Sequence, residues 1–331
     1  MKGLIIASSV ILGIILGLIP NLIKEKPNWW KYLVGALFIV NLILILSPVL
    51  VSDHSYANYI AKTGIEESIT IELSNYTINP TNDSIKISAI NYPIVNESQL
   101  DISKSNLINI KFDKNNQSFS VIGTKDYSII PISYPLILEL KERIKIMVLH
   151  VPTAWISVLA YLLSMIYSVM YLRKRDYKYD IYAHSAAGVG VMFTILATVT
   201  GMIWAKFNWG AYWNWDPRQT SIFMLLIIYF AYFGLRSAIE NTETRARLSS
   251  VYLIIAFTTV PFFVFILPRI SSGLHPGAAG EGTSGPVLGG GAEMLNHNLL
   301  ITFGYSLFCF TMLFFWILNL KIRTELLNKK W

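Results

Sequence analysis

The stretch Ile146-Met-Val-Leu-His-Val-Pro-Thr-Ala-Trp-Ile-Ser-Val-Leu-Ala-Tyr-Leu-Leu-Ser-Met-Ile-Tyr-Ser-Val-Met-Tyr-Leu172 decides the fold class, because it contains no Asp, Glu, Lys or Arg. A helix needs about 20 apolar residues to cross the hydrocarbon core of a bilayer. The sequence therefore predicts an all-α polytopic membrane protein with about seven transmembrane helices. The other six predicted spans are 3–23, 33–51, 181–205, 219–236, 249–267 and 298–320.

The overall composition agrees with a membrane protein. Of the 331 residues, 53% are hydrophobic and 14% are charged, whereas soluble domains are about 25% charged. The single cysteine, Cys309, excludes an internal disulfide and a Cys-x-x-Cys redox pair within this chain. An ordinary soluble domain is therefore not expected.

The positive charge predicts the orientation in the membrane. Fourteen of the 27 Lys and Arg residues lie in one set of short loops and at the C-terminus. The opposite short loops and the N-terminus hold only Lys2, Lys206, Arg218 and Arg269. Since Lys and Arg are retained on the cytoplasmic side, the N-terminus is expected outside the cytoplasmic membrane and the C-terminus inside. The bases are dispersed at helix ends in contact with membrane lipid, so no nucleic-acid partner is expected.

A polar insertion separates the second and third predicted helices. Stretches such as Ser68-Ile-Thr-Ile-Glu-Leu-Ser74 and Leu107-Ile-Asn-Ile-Lys-Phe112 alternate apolar and polar residues, which is typical of β-strands. We therefore predict a small extracytoplasmic β-rich domain. The first helix is expected to be retained, because no small-residue cleavage site follows it. The predicted regions are 1–52 with two helices, the insertion 53–145, and a five-helix domain 146–331.

A tryptophan-rich run lies between the fourth and fifth predicted helices, Trp204-Ala-Lys-Phe-Asn-Trp-Gly-Ala-Tyr-Trp-Asn-Trp-Asp-Pro-Arg218. It holds four of the nine tryptophans. An aromatic belt at the membrane interface explains one or two of them. The whole cluster, arranged around a glycine, instead suits the face of a large planar ligand.

Four of the five histidines are expected on the same side as this run, namely His54, His150, His275 and His297, whereas His184 falls on the inner side. Neutral imidazole is a preferred axial ligand of porphyrin iron. Nearby bases could pair with the carboxylates of such a ligand. The residues therefore predict haem b (iron protoporphyrin IX) as the bound group. The candidate bases are Arg143, Lys145, Lys206, Arg218 and Arg269.

The segment Trp209-Gly-Ala-Tyr-Trp-Asn-Trp-Asp216 resembles the "WWD" motif of the haem-handling proteins of cytochrome c maturation, the CcmC, CcmF and CcsA proteins. The CcmC type is the most similar over residues 145–320. This similarity is carried by the motif and by Lys145-Ile-Met-Val-Leu-His-Val-Pro-Thr-Ala-Trp155, Thr200-Gly-Met-Ile-Trp-Ala-Lys206, Trp215-Asp-Pro-Arg-Gln-Thr-Ser221 and Leu274-His-Pro-Gly277.

The resemblance implies a haem-binding and haem-transfer component more than a self-contained enzyme, and it assigns no catalytic residue. By motif, His150 and His275 correspond to the family's axial ligands. The implied partners are a CcmE-like haem chaperone outside the membrane, CcmA/CcmB-like subunits of an ABC-type complex and a small CcmD-like subunit. The implied haem-binding residues are Trp204, Trp209, Gly210, Tyr212, Trp213, Trp215, Asp216 and Arg218.

The sequence is also compatible with two other functions. The helix at 3–23 and the insertion at 53–145 are additions to the family pattern. In addition, Trp215-Asp-Pro and Gly273-Leu-His resemble the CcsA/ResC type. That type is part of a cytochrome c synthase acting directly on apocytochrome c. A non-haem membrane transporter is the third possibility. It is disfavoured because the third to seventh predicted helices have no charged residue in their central parts.

Overall fold

The computed structural model describes residues 2–46, 54–125 with short internal gaps, 144–275 and 297–328; the gaps are 65, 67, 74–75, 80–83, 89, 97–99 and 103–106. Contacts divide the chain into two compact units. One consists of Met1–Ile45, Lys145–Leu295 and Leu300–Trp331, and the other of Leu46–Ile144 with Asn296–Leu299. The first unit is helical and the second contains a β-sheet, which confirms the predicted fold class.

The described residues form nine α-helices, and six helical segments are long and apolar enough to cross a membrane. The chain is therefore a membrane protein. A π-helical turn, Phe262–Ile266, continues α7 into the short α8. The helices are α1 Lys2–Leu18, α2 Asn28–Leu46, α3 His54–Thr63, α4 Ile144–Lys174, α5 Tyr177–Trp209, α6 Pro217–Ala238, α7 Thr242–Pro261, α8 Leu267–Ile270 and α9 His297–Asn328.

Helix α1 ends earlier than its apolar sequence predicts. The apolar segment extends to Ile23, but the helix stops at Leu18 because Pro20 cannot donate a helical hydrogen bond and disfavours helical geometry at the residue before it. The 17 residues of α1 make it an apolar helix shorter than the six spans.

Small residues let α1 approach α9 closely. A Cβ added at Gly13 would lie 2.9 Å from the Cβ of Thr311, and one added at Gly17 would overlap the ring of Phe315. Two small residues four apart on one face are the usual device for close helix packing in membranes. Helix α1 is thus an integral part of the helical unit.

The turn after α1 is organised by the buried side chain of Lys26. Its Nζ donates to the carbonyl oxygens of Gly17 at 2.7 Å, Ile19 at 3.1 Å and Pro20 at 2.7 Å. It also lies 4.9 Å from the ring centroid of Trp30 on α2. The last carbonyls of a helix lack backbone partners and carry partial negative charge. The ammonium group of Lys26 therefore caps the C-terminal end of α1.

A buried ion pair joins α5 to α6. Both guanidinium nitrogens Nη1 and Nη2 of Arg236 donate to the carboxylate oxygens of Asp180 at 2.7 Å. Both side chains are buried. This two-bond geometry satisfies the groups that burial would otherwise leave unpaired.

The second unit contains α3 and a six-stranded sheet in the order β1-β5-β6-β4-β3-β2. Neighbouring strands are antiparallel except for β4 and β6, which are parallel. Its core is rich in isoleucine, including Ile71, Ile94 and Ile110. The strands are β1 Ser68–Glu72, β2 Tyr76–Asn79, β3 Ser84–Ile87, β4 Ile94–Val95, β5 Leu107–Asp113 and β6 Ser118–Lys125.

Candidate functional site

The tryptophan-rich segment is the connection between α5 and α6. Helix α5 ends at Trp209, and Gly210 follows with φ of 81°, a left-handed conformation that glycine adopts without strain. Trp215 has φ of 54° and is 70% exposed. A bulky residue in that conformation is unusual and strained. It directly precedes Asp216, which caps α6.

Asp216 joins this connection to the segment after α8. Its Oδ1 accepts from the backbone N–H of Arg218 at 2.9 Å and lies 2.8 Å from Nδ1 of His275. Its Oδ2 accepts from the backbone N–H of Leu274 at 2.7 Å. A Cβ at Gly273 would lie 2.8 Å from Oδ2, so only glycine allows this approach. Two predicted site residues far apart in sequence are thereby in contact.

The ionisation state of Asp216 determines which ring nitrogen of His275 carries the hydrogen towards it. Burial would raise the pKa of Asp216, but the hydrogen bond and charge of His275 and the two backbone N–H donors outweigh it and lower that pKa to about 2. The group is therefore a carboxylate at neutral pH, which can only accept hydrogen bonds. Nδ1 of His275 must donate, and Nε2 is the nitrogen left for a metal.

His150 on α4 is held in an analogous way by α5. Its Nδ1 lies 3.0 Å from Oγ1 of Thr200, and that hydroxyl itself donates to the backbone oxygen of Leu196 at 2.9 Å or Ala197 at 3.1 Å. A hydroxyl has one hydrogen to donate, so when Thr200 donates to α5 its oxygen accepts from Nδ1 of His150. In that arrangement Nε2 of His150 is the nitrogen left for a metal.

The imidazole of His150 rests on the backbone of α5. A Cβ added at Gly201 would lie 2.9 Å from Cε1 of His150, which is closer than real Cβ atoms approach. The absence of a side chain at Gly201 thus fixes the depth at which this imidazole sits between α4 and α5.

Two neighbouring cavities adjoin these histidines. The first has a volume of about 680 Å³ and the second about 270 Å³. The second cavity is lined by both His150 and His275, together with Trp204 and Trp213. The two imidazoles proposed as ligands therefore face one space. His150 and Arg218 line both cavities.

The remaining aromatic residues of the motif differ in their positions. The ring centroid of Trp209 lies 4.5 Å from that of His275, and the angle between the two ring planes is 68°. The rings of Tyr212 and Trp215 are exposed, and neither residue lines either cavity in the described part of the chain. Trp204 and Trp213 contribute to the cavity wall, whereas Trp209 packs against a histidine.

The other histidines are elsewhere or not described. Nδ1 of His184 lies 3.1 Å from the hydroxyl of Tyr232, and His184 lines neither cavity. The side chains of His54 and His297, and the whole of Arg143, lie outside the described residues. Over the described residues, no group of three or more His, Cys, Asp or Glu could hold a metal ion.

Several residues that shape this site had no assigned role in the sequence. Thr200, Gly201 and Gly273 set the positions of the two histidines, as described above. Gln219 accepts from the backbone N–H of Asn214 at 2.8 Å and donates to the carbonyl of Tyr212 at 3.1 Å, which holds the α5–α6 connection. The roles of these residues depend on contacts between separate elements, which the sequence does not show.

The C-terminal part of the chain is similar to known proteins. A family model described as "Heme exporter protein C", CcmC, matches residues 132–331. "Heme exporter protein C" of Paracoccus denitrificans is 30% identical over 187 residues, which is 56% of this chain and 75% of the relative. The protein of the same name from Bradyrhizobium diazoefficiens is 31% identical over 187 residues, 56% of this chain and 68% of the relative.

A third relative carries a different description. The "Putative cytochrome c biosynthesis ccmC-like mitochondrial protein" of Marchantia polymorpha is 36% identical over 124 residues, 38% of this chain and 52% of the relative. The family match contains His150, the tryptophan motif and His275, but begins after α1, α2 and the sheet. Since the match covers more than half of the sequence, this chain belongs to the CcmC family of haem exporter proteins.

Proposed function

We propose that this protein binds haem at the outer end of its helical unit and presents it to an acceptor during cytochrome c biogenesis. The observation that carries this proposal is the pair of histidines, His150 and His275, which line one cavity and whose Nδ1 atoms lie within hydrogen-bond distance of Thr200 and Asp216. Porphyrin iron brings four nitrogen ligands and takes axial ligands from protein side chains. Two imidazoles that line one cavity fit that requirement.

The surrounding residues fit the remaining parts of haem. The rings of Trp204 and Trp213 form an apolar wall for the porphyrin, and the guanidinium of Arg218 can pair with a haem carboxylate. Trp209 supports His275, and Gly210 and Asp216 shape the connection that carries these residues. Tyr212 and Trp215, exposed in the same connection, are proposed to contact the ligand where the acceptor reaches it.

The proposed orientation follows the distribution of Lys and Arg, with the N-terminus outside and the C-terminus inside the cytoplasmic membrane. It places the α5–α6 connection on the outer side, where a CcmE-like haem chaperone would dock. Family membership supports CcmA/CcmB-like ABC-type subunits and a CcmD-like subunit as further partners. The protein would contribute orientation, exclusion of water and axial ligation. The acceptor must supply any nucleophile, since Cys309 is buried within α9.

The proposal is tested by the absorption spectrum of the purified full-length protein with added haemin. We expect the wild type and His184→Ala to give the spectrum of iron with two imidazole ligands. His150→Ala and His275→Ala should each lose that spectrum. A wild-type protein that takes up no haemin would contradict the proposal, and unchanged spectra in both variants would refute the ligand assignment.

The CcsA-like synthase function is the alternative, because the contact of Gly273 and His275 with Asp216 involves the residues that resemble that type. It predicts that co-expression with an apocytochrome carrying Cys-x-x-Cys-His yields holocytochrome without a haem chaperone. Holocytochrome that forms only when the chaperone is present would support chaperone loading instead.

A further inference from the structure

The larger cavity is not explained by a ligand held only between the two histidines. It measures about 680 Å³ and lies among membrane-spanning helices and α1. Its wall is almost entirely apolar, formed by residues such as Ala7 and Val10 of α1, Val158 of α4 and Phe303 of α9. The exceptions are the indole N–H of Trp155, one imidazole and two guanidinium groups, the last three being those of His150, Arg218 and Arg269. This composition suits a large apolar ligand with anionic groups and a metal centre.

The volumes separate the roles of the two cavities. Pockets for ligands of this size class measure about 300 to 1,000 Å³, so the first cavity of about 680 Å³ is sufficient alone and the second of about 270 Å³ is not. The two share His150, Ala154 and Arg218 in their walls and are therefore adjacent. His275 lines only the second.

Helix α1 is a fixed wall of the first cavity. Gly13 and Gly17 seat it against α9, and Lys26 closes its end. On its other side, Leu12 and Ile15 are exposed apolar residues suited to lipid. Because the family match begins at residue 132, this wall comes from the part of the chain outside the matched region.

We propose that the first cavity is a receiving site for haem arriving from the bilayer, where His150 is the sole protein ligand and Arg218 and Arg269 bind the carboxylates. In a second stage, His275 adds the other axial ligand across the second cavity. This inference rests on the proposed function. A large apolar ring system partitions favourably into hydrocarbon, so a cavity among the spans would receive it without passage through water.

The test uses full-length protein in lipid vesicles preloaded with haemin, followed by stopped-flow absorbance. Ala7→Trp places an indole in the first cavity, whereas Leu12→Trp places the same group on the lipid-facing side of α1. We expect Ala7→Trp to slow loading roughly tenfold, because the route is obstructed, while the final two-imidazole spectrum is unchanged. Leu12→Trp should load like the wild type. Equal loading rates in both variants would overturn the inference.

A second experiment tests whether His150 binds haem before His275 does. It uses different variants, so the inference stays testable if Ala7→Trp does not fold. We expect His275→Ala to retain haem with a five-coordinate, single-imidazole spectrum. Adding Val158→Phe, which places a phenyl ring in the first cavity from α4, should weaken that signal, because without His275 haem is held in this cavity alone. If His275→Ala binds no haem while the wild type does, the receiving site is wrong although the proposed function stands. A wild type that binds no haem instead refutes the proposed function itself.

Discussion

At the scale of single residues, Asp216 is the group whose charge has the clearest consequence. Its oxygens accept from the side chain of His275 and from the backbone N–H groups of Arg218 and Leu274. Because its folded pKa is lowered to about 2, its contribution to stability is present above the unfolded value of about 3.9. That contribution is lost as the pH falls towards 2, so the contact persists through neutral pH.

Replacing this carboxylate should weaken haem binding. In Asp216→Asn the amide has one oxygen for three N–H donors, so the orientation of His275 is no longer fixed. We expect haemin affinity to fall about 10- to 100-fold, the usual effect of losing a group that orients a metal ligand. Asp176→Asn is the matched control, since Asp176 caps α5 and lines neither cavity. An affinity equal to that of the control would show that Asp216 does not orient a ligand.

Gly201 allows a second test at this scale. In Gly201→Ala the new Cβ would lie 2.9 Å from Cε1 of His150, so the imidazole must shift. We expect the two-imidazole spectrum to be altered while thermal stability changes little, because alanine favours helix over glycine. Gly234→Ala, where a Cβ meets nothing within 4 Å, should leave the spectrum unchanged. A normal spectrum in Gly201→Ala would mean that His150 is not a ligand in this position.

Sequence reasoning could predict the residues of the site better than their contacts. The tryptophan run and the outer histidines were predictable because their residue types are unusual in apolar segments. The roles of Thr200 and Gly201 were not predictable, because the sequence pattern of a Thr-Gly pair inside a helix is the same whether it packs against lipid or against a histidine. Their role depends on the packing of α4 against α5, which no local pattern encodes.

At the scale of elements, the ion pair between α5 and α6 is a defined source of stability. Removing one partner leaves a buried charge, so Arg236→Met should lower the free energy of unfolding in detergent by about 3–5 kcal/mol. The double variant Asp180→Leu/Arg236→Met should lose less, because no charge is then left unpaired. Lys178→Met, which removes an exposed pair with Asp176 at 2.7 Å, should lower the free energy of unfolding far less, because solvent screens that pair. Equal losses in the single and double variants would contradict this account.

The packing of α1 gives another prediction. Gly17→Leu introduces a side chain where even a Cβ would overlap Phe315. We expect a lower midpoint of thermal unfolding and slower haemin uptake from vesicles, since α1 would separate from α9. The control is Gly35→Leu on α2, where a Cβ meets nothing within 4 Å. If Gly17→Leu unfolds at the same temperature as the control, close packing of α1 is not important for stability.

Apolar composition predicted the helical segments, but not their details. Six predicted spans are long helices, and α1 is shorter because Pro20 intervenes. The π-helical turn Phe262–Ile266 was not predicted, since one extra residue in a turn leaves no mark in composition. The alternation of apolar and polar residues predicted the strands. It could not predict the parallel pairing of β4 with β6, because that pairing joins residues far apart in sequence.

At the scale of the whole molecule, the orientation in the membrane is the main open prediction. A cysteine at Tyr212, in the exposed α5–α6 connection, should react with a membrane-impermeant maleimide in intact cells. A cysteine at the exposed Ser237, near the end of α6, should react only after lysis. The wild type provides the background, because its Cys309 is buried. The reverse pattern of labelling would invert the proposed topology.

The unequal partners of the two imidazoles have a consequence for the direction of transfer. A carboxylate behind His275 makes its Nε2 a more basic donor than the hydroxyl behind His150 does. If the two imidazoles bind iron as proposed, the weaker bond would be the one to His150 and the stronger bond the one to His275, beside the exposed aromatic connection. Such a difference in ligand strength would favour retention of haem at the connection until an acceptor competes for it, without any input of chemical energy by this chain.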